Sequence, residues 1–228
     1  MRSYNILEKN DEKSLFYYES NFLDNNRYKE LYKWLQNKNY KEGHCISGKE
    51  IPRLQLWYHE KKKYFCNTWK VHYSRWESEE YDDFLKSLQN EINIKVSCIL
   101  DEFNMENLQK PNLNSCLVNL YRDGNDSIKP HQDTSLSFGN YPTIIGLSIG
   151  ESRNIIISET NKTMKKYNSS NNITNFNKKN KLELKIPLEN NSLFIMAGAS
   201  QKYYTHQIPK NYSKKNRYSL TFREHLDL

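Results

Sequence analysis

Apolar residues follow two rhythms along this chain, one spaced for helices and one alternating for strands. Tyr28, Leu31, Tyr32 and Leu35 recur at the spacing of one helical face, and Asp24-Asn25-Asn26 ahead of them supplies N-cap candidates. A second helical rhythm follows Ser78 with Tyr81, Phe84, Leu85, Leu88 and Ile92, where Glu79 and Glu80 would suit the N-terminal dipole. After a loop over 101–111 the pattern becomes a series of short β-prone runs at 115–121, 143–149, 154–158, 182–188, 192–196, 203–208 and 217–223. Earlier, 15–18 is strand-like, and the runs 52–58 and 63–65 flank His59-Glu60-Lys61-Lys62-Lys63, predicting a hairpin with a basic tip. Seven strands after two helices predict an α+β, mainly β fold, a closed or double-sheet core backed by N-terminal helices. Residues 1–13 are polar and read as a flexible N-terminus, with 14–228 as a single domain. Within it, 159–181 is basic and of low complexity, and reads as a surface insertion between strands.

Composition narrows the classes. The 228 residues suffice to bury a core without staples, and 17 Tyr and 9 Phe offset a hydrophobic fraction of only 36%. A net charge of +7 favours a polyanionic partner such as nucleic acid or an anionic membrane face, and equally suits plain solvation by lysine. No apolar run is long enough to span a bilayer and no apolar segment follows the first residues, so the expectation is an intracellular protein, cytoplasmic or nuclear, without a membrane partner. Cys45, Cys66, Cys98 and Cys116 are scattered without C-x-x-C spacing, which predicts reduced thiols rather than a zinc site or disulfides.

The candidate chemistry centres on 117–133. Asn119 and Tyr121 share one face of a strand, and His131-x-Asp133 follows a polar turn at Asp123-Gly124. One imidazole and one carboxylate are two-thirds of a 2-His-1-carboxylate iron triad. Of His44, His59, His72, His206 and His225, the best placed for the third ligand is His206, in a late β run after the Ala197-Gly198-Ala199 turn. On the strand 217–223, Arg217, Ser219, Thr221 and Arg223 share one face while Tyr218, Leu220 and Phe222 face the core. Two arginines on order of 20 Å apart would either hold the two ends of a short dicarboxylate or lie solvated on an edge strand.

Asn114-(x)4-Asn119-x-Tyr121-x-Asp123-Gly124, His131-x-Asp133, the run 141–150, His206 and Arg217-x-Ser-x-Thr-Phe-Arg223 together resemble, in order, the AlkB-like dioxygenases, across nearly the whole chain. The resemblance implies a double-stranded β-helix (jelly-roll) core and an enzyme that uses Fe(II), 2-oxoglutarate and O2 to demethylate alkylated bases in DNA or RNA, releasing succinate, CO2 and formaldehyde. It implies His131, Asp133 and His206 as metal ligands. Arg217 would meet the distal carboxylate of 2-oxoglutarate and Arg223 the end near the metal, with Asn119 and Tyr121 hydrogen-bonding the same molecule. Ser219 stands where the family often has Asn, and it keeps a donor and an acceptor.

For substrate, Pro52-Arg53-x-Gln55-x-x-Tyr58 is similar to the start of the family's nucleotide-recognition hairpin, here 44–70, which offers Arg53 and Tyr58. Tyr64 and Phe65 would stack on a flipped base or pack within the hairpin, and Arg53 and Lys61 to Lys63 would meet phosphates or solvate the tip. Thr134 and Ser135 stand where the DNA-repair branch carries an acid, which implies a weaker preference for cationic lesions, or a neutral or different substrate. A monomer is expected. Two competing readings remain: an oxygenase of the same core acting on a protein or small molecule, and an inactive nucleic-acid-binding relative.

Overall fold

The two rhythms become two helices and a pair of facing sheets in the computed structural model, which describes residues 1–44, 49–61, 63, 77–160 and 182–226. In chain order the elements are β1 (Arg2–Lys9), β2 (Glu12–Glu19), α1 (Asn25–Gln36), β3 (Leu54–His59), α2 (Asp83–Asp101), β4 (Ser115–Tyr121), β5 (Ile128–His131), α3 (Ser135–Phe138) and β6 (Ile144–Gly150). There follow β7 (Arg153–Glu159), β8 (Glu183–Leu188), β9 (Ser192–Gly198), α4 (Ser200–Tyr203), β10 (Tyr204–Ile208) and β11 (Arg217–Arg223). The larger sheet has the order β1-β2-β9-β6-β11-β4-β3 and the smaller β5-β10-β7-β8.

Period-two alternation decides what each strand gives to each side of the large sheet. Val118, Ile145, Leu147, Leu193, Ile195, Leu220 and Phe222 point to the outer face and pack with Leu31 and Leu35 of α1 and Leu85, Leu88 and Ile92 of α2. The intervening residues point inward, where Phe16, Ile144, Phe194 and Met196 meet Ile155, Ile157 and Ile186 of the small sheet. The helices therefore close the outer face and leave the space between the sheets for a site. This is the expected mainly β jelly roll backed by helices. Among the described residues no helix is long and apolar enough to cross a membrane.

Local signals explain the helix starts. Asp24 caps α1 by accepting from the backbone N–H groups of Asn26 and Arg27 at 2.9 and 3.0 Å. Asp82 caps α2 by accepting from Leu85 N at 2.8 Å, and its other oxygen takes hydrogen bonds from Trp34 Nε1 and Lys38 Nζ, which fastens α2 to α1. So α2 begins at Asp83 rather than just after Ser78, because Glu79 is engaged in backbone pairing with β3.

One other expectation is corrected. Arg2–Lys9, anticipated as a flexible end, is a strand paired along its full length with β2. The two strands join through Asn10 and Asp11, both at positive φ (51° and 62°), the two-residue turn whose twist suits a hairpin. The short β5 and the four-residue α3 and α4 were not anticipated. Of the basic-tipped hairpin, the first strand is β3, paired with β4. Of the second run only Lys63 is described, hydrogen-bonded to Ser78, while Lys62, Tyr64 and Phe65 lie outside the described residues, as do His72 and 161–181 of the insertion.

Candidate active site

β5 and β10 lie side by side in the small sheet, with His131 directly across from His206 and their ring centroids 4.1 Å apart. Two residues on, Asp133 is positioned by α4. Its backbone N–H donates to Gln201 Oε1 at 2.9 Å, and Gln132 Nε2 donates to the carbonyls of Gln201 and Lys202 at 2.6 and 3.2 Å. Two glutamines thus cross the gap in opposite directions and fix the His-x-Asp turn. Thr134 then caps α3 by accepting from Leu136 N.

The three side chains offer ligand atoms within 4.8 Å of one another, so this cluster could hold a metal ion. His131 Nδ1 lies 2.9 Å from the Lys129 carbonyl, which can only accept, so Nδ1 carries the proton. That leaves the Nε2 lone pair facing Asp133, 3.9 Å from Oδ1. The other carboxylate oxygen, Oδ2, accepts from Arg223 Nε at 2.5 Å. Two neutral nitrogens and one carboxylate oxygen are the donor set suited to Fe(II) with positions left open.

The protonation states agree with that role. Burial alone would push the Asp133 carboxyl up, but the Arg223 guanidinium and both histidines outweigh it and hold it at about 2. Burial drives the His206 imidazole down to about 3, with His131 adding to the effect, and burial likewise lowers His131. Each histidine binds a proton more readily in the unfolded chain, near pH 6.5, than in the fold. Their contribution to stability is present above that value and lost as pH falls below it. The Asp133 contribution is present above its unfolded value of 3.8 and is lost towards 2. The thermal midpoint of the metal-free protein is therefore expected to fall between pH 7 and pH 5, and His206→Leu to flatten that slope. A scan of midpoint against pH checks this, and equal slopes would contradict it.

Behind the histidines, between the sheets, is a cavity of about 320 Å³. Arg217 lines it, 3% exposed, with Nη2 donating to Ser148 Oγ at 2.8 Å and the guanidinium 5.1 Å from the Tyr121 ring centroid. Its Nε and Nη1 meet no well-aligned acceptor among the described residues, the Tyr121 side chain offering only a loose one. A buried guanidinium with open donors is costly unless an anion completes it, and a carboxylate is the anion it pairs with best. Asn119 stands opposite Ser219 in register. Its Oδ1 accepts from Gln55 Nε2 at 2.9 Å and Arg53 Nε at 3.0 Å, while Nδ2 donates to Ser219 Oγ at 3.4 Å.

The same cavity is lined by His131, Asp133, His206, Asn119, Tyr121, Arg217, Ser219 and Arg223, and also by Arg53 and Thr134. Arg223 departs in one respect, since its Nε is already committed to Asp133. Tyr58 is a correction: alternation along β3 turns it away from Arg53 and Gln55 and buries it near Trp34 and Tyr81, where burial raises its hydroxyl pKa. Ser135 is exposed in an outer recess beside Asp133, Thr134 and Leu136 rather than in the cavity. Gln55 was named in the hairpin motif without a role, and Ser148 and Gln201 were missed. Gln55 shares a strand face with Arg53 and was open to the alternation argument, whereas Ser148 and Gln201 needed the sheet order.

The chain matches the family described as the 2OG-Fe(II) oxygenase superfamily over residues 16–223. It is 37% identical over 111 residues to alpha-ketoglutarate-dependent dioxygenase alkB homolog 3 of Rattus norvegicus, covering 48% of this chain and 35% of that protein. The Homo sapiens protein of the same name gives 37% over 111 residues, covering 48% and 36%. The matched stretch thus spans about a third of the length of these relatives. Among solved structures, that of OsALKBH1 aligns with a TM-score of 0.61 at 13% identity, covering 98% of this chain and 100% of that one. A prolyl hydroxylase in complex with a hypoxia inducible factor oxygen degradation domain peptide fragment, from Trichoplax adhaerens, gives 0.52 at 12% identity, covering 93% and 83%, and shares the fold. The chain belongs to the 2OG-Fe(II) oxygenase superfamily, an enzyme class that works with Fe(II), 2-oxoglutarate and O2, and over about half its length it is similar to AlkB-like dioxygenases.

Proposed function

We propose that His131, Asp133 and His206 ligate Fe(II), that Arg217 binds the distal carboxylate of 2-oxoglutarate, and that the enzyme demethylates alkylated bases in DNA or RNA. The observation that carries the site is the pairing, in one cavity, of the His-Asp-His cluster with the open donors of Arg217. The base substrate is supported by the partial match to alkB homolog 3 and by the basic charge. Residues 14–228 are read as one oxygenase domain that works as a monomer.

Bound Fe(II), with 2-oxoglutarate and O2, supplies an oxidant able to hydroxylate an N-alkyl carbon, and the product collapses to the aldehyde and the repaired base. The protein positions the reactants. Arg217 receives the carboxylate on its incompletely paired guanidinium, which Ser148 fixes through Nη2. Gln55 and Arg53 occupy the acceptor of Asn119 and so turn its NH2 group towards Ser219 and the cavity. Arg223 keeps Asp133 ionised, and the Lys129 carbonyl holds the proton of His131 on the nitrogen that faces away from Asp133. Ile144, Phe194 and Met196 make that part of the wall apolar and exclude water from the reacting groups.

The test is succinate and formaldehyde formation with and without methylated single- and double-stranded DNA and RNA. Stimulation by a methylated strand, with matching formaldehyde, is the expected result. Iron-dependent turnover indifferent to every nucleic acid would point to a protein or small-molecule substrate, and tight polynucleotide binding without turnover to an inactive relative. At the outer recess, Ser135→Asp should raise kcat/KM about tenfold on 1-methyladenine and 3-methylcytosine oligonucleotides, because a carboxylate there would attract the cationic base. Equal turnover by the two enzymes would contradict a neutral recess as the cause of weaker preference.

A further inference from the structure

The loop between β10 and β11 presents an aromatic ring that the fold does not use. Tyr212 is 101% exposed, whereas Tyr17, Tyr18, Tyr58, Tyr121, Tyr203, Tyr204 and Tyr218 are buried. The loop that carries it is nonetheless built. Asn211 N donates to the Gly124 carbonyl at 2.9 Å and Gly124 N to the Ser213 carbonyl at 2.7 Å, so both residues flanking Tyr212 are tied to the turn after β4. Ser213 N also donates to Asn211 Oδ1 at 3.1 Å, and Lys215 N to Ser213 Oγ at 3.2 Å. The approach requires glycine, since a Cβ on Gly124 would lie 2.3 Å from the Asn211 carbonyl oxygen.

Charge surrounds the ring. Lys210, Lys214 and Lys215 are exposed, and none of them forms an ion pair among the described residues. Some other cations of the surface are neutralised, as Lys202 is by Glu12 and Arg122 by Asp126 and Glu50. Lys214 and Lys215 line a surface groove together with Arg122, Glu151, Asn190 and Asn216, and Lys214 helps to lower the pKa of the nearby Asp123 carboxyl. This groove is joined to the cavity through one short segment. Ser127, in the connection after β4 that also contains Gly124, donates from its N–H to the Pro52 carbonyl and accepts from Arg53 Nη1, and Arg53 lines the cavity.

We propose that the 209–216 loop is a second nucleic-acid contact outside the cavity, with Tyr212 stacking on a base of a single strand while Lys210, Lys214 and Lys215 meet its phosphates. The inference rests on the nucleic-acid reading above and extends it to strand outside the reacting base. A ring held at a fixed tip loses little freedom on stacking, and stacking tolerates any base. Exposed lysines beside it match the polyanion that the +7 net charge favours, and a neutral protein partner would leave them unused.

The test is fluorescence anisotropy with unmodified single strands of about 5 and about 20 nucleotides, comparing wild type, Tyr212→Ala, Tyr212→Phe and the triple lysine-to-glutamine variant at 210, 214 and 215. Tyr212→Ala should weaken binding of the longer strand about tenfold, and Tyr212→Phe should bind like wild type. The triple variant should reduce the slope of log K against log salt by about 2 if all three lysines meet phosphates. Thermal midpoint and affinity for 2-oxoglutarate should not change. Wild type binding the longer strand with Tyr212→Ala indistinguishable from it would overturn this inference alone. Wild type failing to bind any polynucleotide would overturn the nucleic-acid reading and this surface with it.

Discussion

Asp133→Ala should lower kcat by more than about a thousandfold, the equivalent of about 4 kcal/mol of barrier, and should also destabilise the fold. The second effect follows from Arg223, which is as buried as its partner, with side-chain exposures of 5% and 6%. Removing one member of a buried pair leaves an uncompensated charge, at a cost of about 3–5 kcal/mol. His131→Ala should lose turnover to the same degree, but His131 is about a third exposed and its only ring hydrogen bond among the described residues is to a carbonyl, so its stability loss should be small. Kinetics and urea unfolding on both variants separate the two roles. Retained turnover in either would remove the iron assignment, and equal stabilities would remove the structural role of the Asp133–Arg223 pair.

Arg217→Met should raise KM for 2-oxoglutarate about a hundredfold, because truncating one partner of a buried charged pair costs about 2–5 kcal/mol. Without 2-oxoglutarate the same change should be neutral or stabilising, since burial already disfavours the cation and two of its donors have no good acceptor. The opposite signs distinguish a ligand-binding arginine from a structural one. Wild type should gain about 2.7 kcal/mol of stability at 2-oxoglutarate a hundred times its Kd, and the variant almost none at that concentration. Thermal unfolding across a 2-oxoglutarate titration reads both effects. Equal stabilisation of the two proteins would place the cosubstrate elsewhere.

How far the sequence reveals this arrangement depends on which physical signal each part leaves. β4 and β11 were readable to the residue because one face of each is continuously apolar and the other carries the site polar groups. β1 was not, since an edge strand buries little and its composition matches a loose end, although the Asn10-Asp11 turn marked the hairpin. β5 is four residues long and contains Pro130, tolerated because β5 is the edge of its sheet, so no periodicity could identify it. Tyr58 was misplaced although alternation from Arg53 already put the two on opposite faces. Ser148 and Gln201 reach Arg217 and Asp133 across 69 and 68 residues of sequence, through β6–β11 pairing and the α4 turn. Only the folded topology brings such partners together.

The central claim, iron at His131, Asp133 and His206 with 2-oxoglutarate reaching Arg217, is tested most directly by a crystal structure with Mn(II) and 2-oxoglutarate bound without oxygen. The expected result is one anomalous peak about 2.0–2.3 Å from a nitrogen of each histidine and from an Asp133 oxygen, with one ligand carboxylate on the Arg217 guanidinium. A metal bound away from these three residues, or a cosubstrate carboxylate that leaves Arg217 unpaired, would contradict it.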